Sequence, residues 1–319
     1  MSIQYRVPMI FPGQASQKIG MAQDLAEGSG AAAAYLATVN DALGDDLTKI
    51  MFEGPGETLT ETHNAQPAIL AHSVAVSMAL REQGIEPSLV AGHSLGEFSA
   101  AVAAGAIDPA DGLRIVRRRG ELMFAAGQKT PGTMAAVLGL DGDAVREVCR
   151  KISASTGVVV VANDNSDGQI VISGEVEAVA VAGDALKEAG AKRVIGLNVS
   201  GAFHSPLLEA AAVAFRDHLA GIEVSDSSVP LVANVSAQPV STVSELKAGF
   251  GQQLTSPVLW RDIMIEIAGG KNPPKVVLEV GPGRVLTNLA KRAYPETTFI
   301  AVGTVSDLES IGERVAEAM

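Results

Sequence analysis

Short apolar runs alternate with amphipathic stretches through the first third of the chain. Pro8-Met9-Ile10-Phe11-Pro12 reads as a strand running into a turn, and Ala68 to Leu80 places its apolar residues at helical spacing. Ser88-Leu89-Val90-Ala91 has the length and apolarity of a buried strand, and Glu97 to Gly105 is a run of mostly small residues suited to a packed helix. Strands alternating with helices predict a parallel sheet covered on both faces, the α/β class.

The stretch from Gly127 to Gly132, with Gln128, Lys129, Thr130 and Pro131 between, reads as a linker. A compact unit follows. Met134 to Leu138 reads as a strand, Asp141 to Ser153 as a helix, and Val158 to Ala162 and Gln169 to Ser173 as strands paired across a turn. Val176 to Ala189 then reads as a helix and Arg193 to Val199 as a last strand. The order βαββαβ is ferredoxin-like, and its two ends lie close together, which suits insertion into a larger domain. The larger pattern resumes after Gly201 with a helix over Leu207 to Leu219, a strand at Leu231 to Ala233, and another from Lys275 to Val280 stopping at Gly281-Pro282-Gly283. The expected organisation is a large α/β domain made of residues 1–128 and 200–319, carrying a small inserted domain at 129–199.

Composition narrows the class. Hydrophobic residues make up 47% and charged residues 19% of the 319 positions, enough for a large core and too apolar for disorder. With only 4% aromatic residues, that core must be aliphatic. No apolar run approaches the roughly 18 residues a membrane span needs, and Met1 to Pro8 lacks a signal-peptide layout. A cytoplasmic protein with no membrane partner is therefore expected. Cys149 stands alone, so an intrachain disulfide or a cysteine metal cluster is excluded, and it suits a small core position on a helix. A formal charge of −12 repels phosphates, which argues against nucleic acid as a partner. An anionic substrate would have to be met by local positive charge.

Gly92-His93-Ser94-Leu95-Gly96 carries the chemistry. It is the one Gly-x-Ser-x-Gly in the chain and lies between a predicted strand and a predicted helix. Flanking glycines permit a sharp turn that projects the serine hydroxyl, and the following helix N-terminus offers backbone N–H groups. A serine nucleophile needs a base, and five histidines are available. His218 and His72 fall within helical stretches and read as ordinary partly buried histidines. His93 adjoins the serine, where neighbouring side chains point apart, while His63 falls in a polar loop. His204, in Gly201-Ala202-Phe203-His204-Ser205-Pro206, lies at a strand end before a helix, where catalytic loops collect. An ordinary α/β-hydrolase places its histidine late, but no histidine follows His218. A different serine–histidine scaffold is required.

The chain resembles the malonyl-CoA:acyl carrier protein transacylases of fatty acid synthesis, a family shared with polyketide synthase acyltransferase domains. The resemblance runs through Phe11-Pro12-Gly13-Gln14-Ala15-Ser16-Gln17, Gly92-His93-Ser94-Leu95-Gly96-Glu97 and Gly201-Ala202-Phe203-His204. It continues with Gln253-Leu254-Thr255-Ser256-Pro257-Val258-Leu259-Trp260 and Glu279-Val280-Gly281-Pro282-Gly283, in the family's order over nearly the whole chain. It implies an α/β-hydrolase-like large domain with the ferredoxin-like insert. It also implies Ser94 as nucleophile, His204 as general base, and the backbone carbonyl of Gln253 orienting the imidazole in place of a carboxylate. The backbone N–H groups of Gln14 and Leu95 would form the oxyanion hole, and Arg119 would hold the substrate carboxylate. Arg117 and Arg118 beside it read as a solvated basic helix face.

Further expectations follow from the same resemblance. Ala202-Phe203 matches the malonyl-selecting version of its segment, with Phe203 leaving little room for an α-methyl branch. Ala15 stands where many relatives carry glycine, a change that size alone makes cheap. Asn163 and Asn165, placed between two strands, read first as turn-formers and second as contacts for a pantetheine arm. The partners implied are malonyl-CoA and acyl carrier protein, with no cofactor and no metal. Lys129, Lys192, Arg193, Lys275, Lys291 and Arg292 are the candidates for docking an acidic carrier. Rival readings are a trans-acting acyltransferase serving a polyketide carrier, an acyl-thioester hydrolase of the same fold, and a carrier-binding module with a dead site.

Overall fold

A computed structural model of the chain describes residues 4–28, 30–199 and 201–319. Met1 to Ile3, the start of the segment weighed as a leader, and Ser200, the first residue expected of the resumed large domain, lie outside the described residues.

Among the described residues, ten strands form two sheets. They are β1 (Tyr5–Phe11), β2 (Ile85–Gly92), β3 (Gly132–Leu138), β4 (Val159–Ser166), β5 (Gln169–Glu175), β6 (Arg193–Gly196), β7 (Leu231–Val232), β8 (Pro239–Val240), β9 (Val276–Val280) and β10 (Thr298–Val302). The larger sheet has the order β10-β9-β1-β2-β7-β8 and is parallel except for the last pair, β7 with β8. Its central strands are buried nearly end to end, Ile10, Phe11, Val90, Ala91 and Leu278 among them, because helices cover both faces. The smaller sheet, β4-β5-β3-β6, is antiparallel throughout. Helices Gly142–Ser153 and Val176–Glu188 cover one of its faces through Val145, Cys149, Ala182 and Leu186. The βαββαβ chain order of the small unit follows the expectation, whereas β8 and β10 and the antiparallel pairing of β8 on the larger sheet were not anticipated from the sequence.

Several boundaries differ from the expectation, among them β4, which runs on to Ser166, and β6, which stops at Gly196; two helix boundaries bear on the site. Helix Pro109–Lys129 runs through most of the stretch read as a linker, so the break shrinks to Thr130 and Pro131. Its inner face carries Ile115, Val116, Arg119 and Met123 at helical spacing, and burial of that stripe outweighs the local turn signals. Helix Thr62–Glu82 starts upstream of the apolar run and carries Pro67 inside it. Proline has no N–H for the carbonyl four residues back, and the Arg117 guanidinium donates to that His63 carbonyl instead. Arg117 also donates to Asn64 Oδ1 at 2.7 Å and Asp45 Oδ2 at 2.6 Å, and its side chain is only 13% exposed. Arg117 therefore does not belong to a solvated face, whereas Arg118, half-exposed and paired with Glu121 at 3.2 Å, does.

Candidate active site

The turn that presents Ser94 exists because two of its residues lack side chains. A Cβ on Gly92 would lie 1.9 Å from the Gly96 carbonyl carbon, and one on Gly96 would lie 2.1 Å from the Phe11 carbonyl oxygen. The end of β2 can therefore fold back against the end of β1, with His93 N donating to Phe11 O at 3.0 Å. Ser94 sits at φ 50°, a left-handed conformation that costs a non-glycine residue about 1–3 kcal/mol. Three contacts hold it there. Ser94 N donates to Asn234 Oδ1 at 2.8 Å, Asn234 Nδ2 donates to Gly92 O at 2.7 Å, and Gln253 Nε2 donates to Ser94 O at 2.8 Å.

His204 meets the serine from the turn after β6, itself at φ 57°. Its Nε2 lies 2.8 Å from Ser94 Oγ, and its Nδ1 lies 2.9 Å from Gln253 O and 3.2 Å from Ser256 O. Two carbonyls facing Nδ1 require a proton there, which leaves Nε2 as the acceptor for the serine hydroxyl. Burial, followed by the nearby Arg119 charge, pushes the His204 pKa down to about 3, so the imidazole is neutral throughout the physiological range.

Arg119 comes from helix Pro109–Lys129, opened by an Asp108 cap whose Oδ1 accepts from Ala110 N at 2.8 Å. One position on, a Cβ at Gly120 would stand 2.7 Å from His63 Cα, so glycine lets this helix approach helix Thr62–Glu82 closely enough to aim Arg119 inward. Its guanidinium is 1% exposed and donates to Gln66 Oε1 at 2.8 Å, Gln253 Oε1 at 2.7 Å and Ser94 Oγ at 3.0 Å. Burial lowers its pKa to about 10, which leaves it charged. The site therefore holds a buried cation one hydrogen bond from the Ser94 hydroxyl.

The dyad opens into a cavity of about 480 Å³ between the two sheets, whose wall includes Gln14, Leu95, Arg119, Asn163, Asn165 and Phe203. Gln14 follows Gly13, where a Cβ would meet His93 O at 2.5 Å, so this loop presses against the turn, and Gln14 lines the same cavity as Ser94. Ala15 stands at φ 80°, where its cost is conformational rather than a matter of size. The expectation of a cheap replacement is corrected on that point. Asn163 and Asn165 lie within β4, and the turn belongs instead to Asp167 and Gly168 (φ 72°). Asn165 Oδ1 is 2.8 Å from His93 Nε2, which ties His93 away from the serine. His63 begins a helix rather than lying in a loop, its ring edge-on to Phe124 at 5.0 Å. His72 is buried with Nε2 2.6 Å from Gly303 O.

Sequence reasoning missed three residues of the site. Gln66 and Asn234 are fully buried amides with no neighbouring motif to mark them. Glu97 is 1% exposed, accepting from Asn234 N at 2.9 Å and from Gln253 Nε2. Burial pushes its carboxyl up to about 7. A lone acid in the apolar run after the nucleophile was the available signal for it.

Residues 9–314 match the family described as "Acyl transferase domain". The chain belongs to that family. It is 42% identical to the malonyl CoA-acyl carrier protein transacylase of Bacillus subtilis, over 96% of this chain and 95% of that protein. Among solved structures it is similar to the acyl-carrier-protein S-malonyltransferase of Bartonella henselae, with 40% identity and a TM-score of 0.92, covering 98% of this chain and 100% of that one. A malonyl-transacylase solved with a type II polyketide acyl-carrier protein is 39% identical with a TM-score of 0.91, covering 97% of this chain and 100% of that one. No helix among the described residues is long and apolar enough to cross a membrane.

Proposed function

We propose that the chain transfers a malonyl group from malonyl-CoA to the phosphopantetheine thiol of acyl carrier protein through a malonyl-Ser94 ester. The observation that carries this is the buried Arg119 guanidinium, 3.0 Å from Ser94 Oγ. A planar cation at that distance fits an acyl group that ends in a carboxylate, and in a protein of net charge −12 it supplies the local positive charge such a substrate needs.

In the first half-reaction Ser94 Oγ adds to the thioester carbonyl as His204 Nε2 takes its proton. The oxyanion is met by the backbone N–H groups of Gln14 and Leu95, donors worth about 3–4 kcal/mol of barrier when one is removed. Collapse breaks the C–S bond, and the CoA sulfur leaves with the proton from His204. The carrier thiol then gives its proton to His204 and adds to the ester carbonyl, and Ser94 departs reprotonated. No cofactor has a part in either step. Phe203, 5% exposed on the cavity wall, leaves an unbranched acyl group more room than a branched one.

A polyketide carrier in place of a fatty acid carrier would use the same residues. Exposed Lys192 and Arg193, at the open edge of the small sheet, form the surface we assign to the acidic carrier. Charge reversal there raises KM for carrier protein and leaves KM for malonyl-CoA unchanged; an unchanged carrier KM removes this surface. Mass spectrometry after incubation with malonyl-, methylmalonyl- and acetyl-CoA locates the acyl adduct and ranks the donors. An adduct on Ser94 that persists until carrier thiol is added supports transfer, and one that water clears at the same rate supports a hydrolase. The small domain at 129–199 is proposed as an insert in the large one, the chain leaving and re-entering where a Cβ on Gly201 would lie 3.3 Å from Gly127 Cα.

A further inference from the structure

Glu97 is a buried carboxylate that the two half-reactions above leave unused. One oxygen accepts from Asn234 N and the other from Gln253 Nε2. Each of those partners reaches the dyad. Asn234 Oδ1 holds Ser94 N, while the Gln253 backbone carbonyl faces His204 Nδ1 and its side-chain Oε1 holds Arg119. A single Gln253 amide thus stands between the Glu97 anion and the Arg119 cation, both 1% exposed. Among the described residues Arg119 is paired with no carboxylate: its direct partners are two amide oxygens and a hydroxyl, with the Phe98 ring 5.6 Å away.

We infer that Glu97 is a positioning residue whose charge balances Arg119 in the empty site and so sets how strictly the enzyme demands an anionic acyl group. The inference rests on Arg119 holding the malonyl carboxylate. Charge balance explains why the demand is graded. When His204 becomes an imidazolium in the transition state, a second positive charge appears beside Arg119, the cation whose field already lowers its pKa. With a malonyl group the substrate carboxylate offsets Arg119. With a neutral acyl group that offset falls to Glu97, the carboxylate whose field acts on Arg119. Removing the Glu97 charge therefore penalises acetyl transfer more than malonyl transfer and tightens the hold on the malonyl carboxylate.

The test is Glu97→Gln, which keeps the size and removes the charge, with Glu97→Asp as the control that keeps the charge and shortens the arm. Loading of Ser94 from malonyl-CoA and acetyl-CoA is measured for each on the alkaline side of pH 7, where the Glu97 carboxyl, pushed up to about 7, carries its charge. For Glu97→Gln the malonyl-to-acetyl ratio of kcat/KM rises about tenfold, within the range typical of coupled sites, kcat falls for both donors, and KM for malonyl-CoA falls. Glu97→Asp loses kcat on both donors and keeps the wild-type ratio. A Glu97→Gln ratio at or below the wild-type value overturns the inference, as does an equal rise in the ratio for Glu97→Asp. If Arg119→Ala leaves the ratio unmoved, the malonyl reading fails and takes this inference with it, whereas a ratio moved by Arg119→Ala but not by Glu97→Gln overturns this inference alone.

Discussion

Replacing Arg119 by alanine separates the carboxylate-holding role from every other contribution of the side chain. Two effects are expected, and they differ in which substrates they touch. The first is structural: Gln66 Oε1 and Gln253 Oε1 each lose their donor, and a buried acceptor left unpaired costs about 1–3 kcal/mol. That cost falls on stability and on all acyl groups alike, as does loss of the contact to Ser94 Oγ. The second is specific. A bidentate hold on a carboxylate comprises two charge-assisted hydrogen bonds at about 1.5–3 kcal/mol each, or roughly 3–6 kcal/mol together. At about 1.4 kcal/mol per decade, kcat/KM for malonyl loading falls roughly 10²–10⁴-fold further than for acetyl loading. The assay is single-turnover acylation of Ser94 by the two CoA esters, quenched and read by mass. Acetyl loading serves as the folding control, and the ratio of the two rates is the measure. An unchanged ratio in a variant that still loads acetyl groups refutes the carboxylate role, whatever the loss in absolute rate.

His204→Ala keeps the cavity and removes the base, so acyl-Ser94 formation slows by about 10²–10⁴-fold with little change in malonyl-CoA binding, measured by rapid quench and equilibrium titration. Ala15→Gly relieves the φ of 80° and raises stability by about 1 kcal/mol in urea unfolding; a loss of stability there contradicts the conformational account of this position. His72 is pushed down to about 4 by burial, so the folded state holds it neutral where the unfolded chain protonates it. Its contribution is complete above the ordinary histidine value of 6.5 and is lost as pH falls from there toward 4, by up to about 3 kcal/mol. His72→Gln, which can still donate to Gly303 O, flattens that part of the profile of thermal midpoint against pH.

Much of this protein is legible in its sequence because the signals involved are local. Short apolar runs and helical spacing place the strands and helices around the serine turn and in the small unit, whose βαββαβ order follows from counting them. The glycines of Gly92-His93-Ser94-Leu95-Gly96 announce the turn because a Cβ cannot fit at either end of it. Absence of a histidine after His218 is enough to exclude the ordinary hydrolase order. The helix boundaries that differed, at Lys129 and Thr62, moved because helix-on-helix burial overrode turn residues and a proline, a contest that no window of sequence contains.

The geometry of the site was decided by contacts across the fold. Ser94 and Gln253 are 159 positions apart, and Asn234 and Gly92 are 142 apart, yet both pairs are hydrogen-bonded. Residue types at such separations carry no periodic or spacing signal, so Gln66 and Asn234 stayed silent in the sequence, while Glu97 was visible as a lone acid without its partners being so. The same holds for Arg117 and Arg119, two positions apart on one helix and alike as letters. Tertiary packing gave Arg117 a proline-freed carbonyl to satisfy and placed Arg119 beside the nucleophile. Sequence alone determined which groups could react; only the folded core decided which of them meet in a water-poor space, where charge and hydrogen-bond direction govern the chemistry.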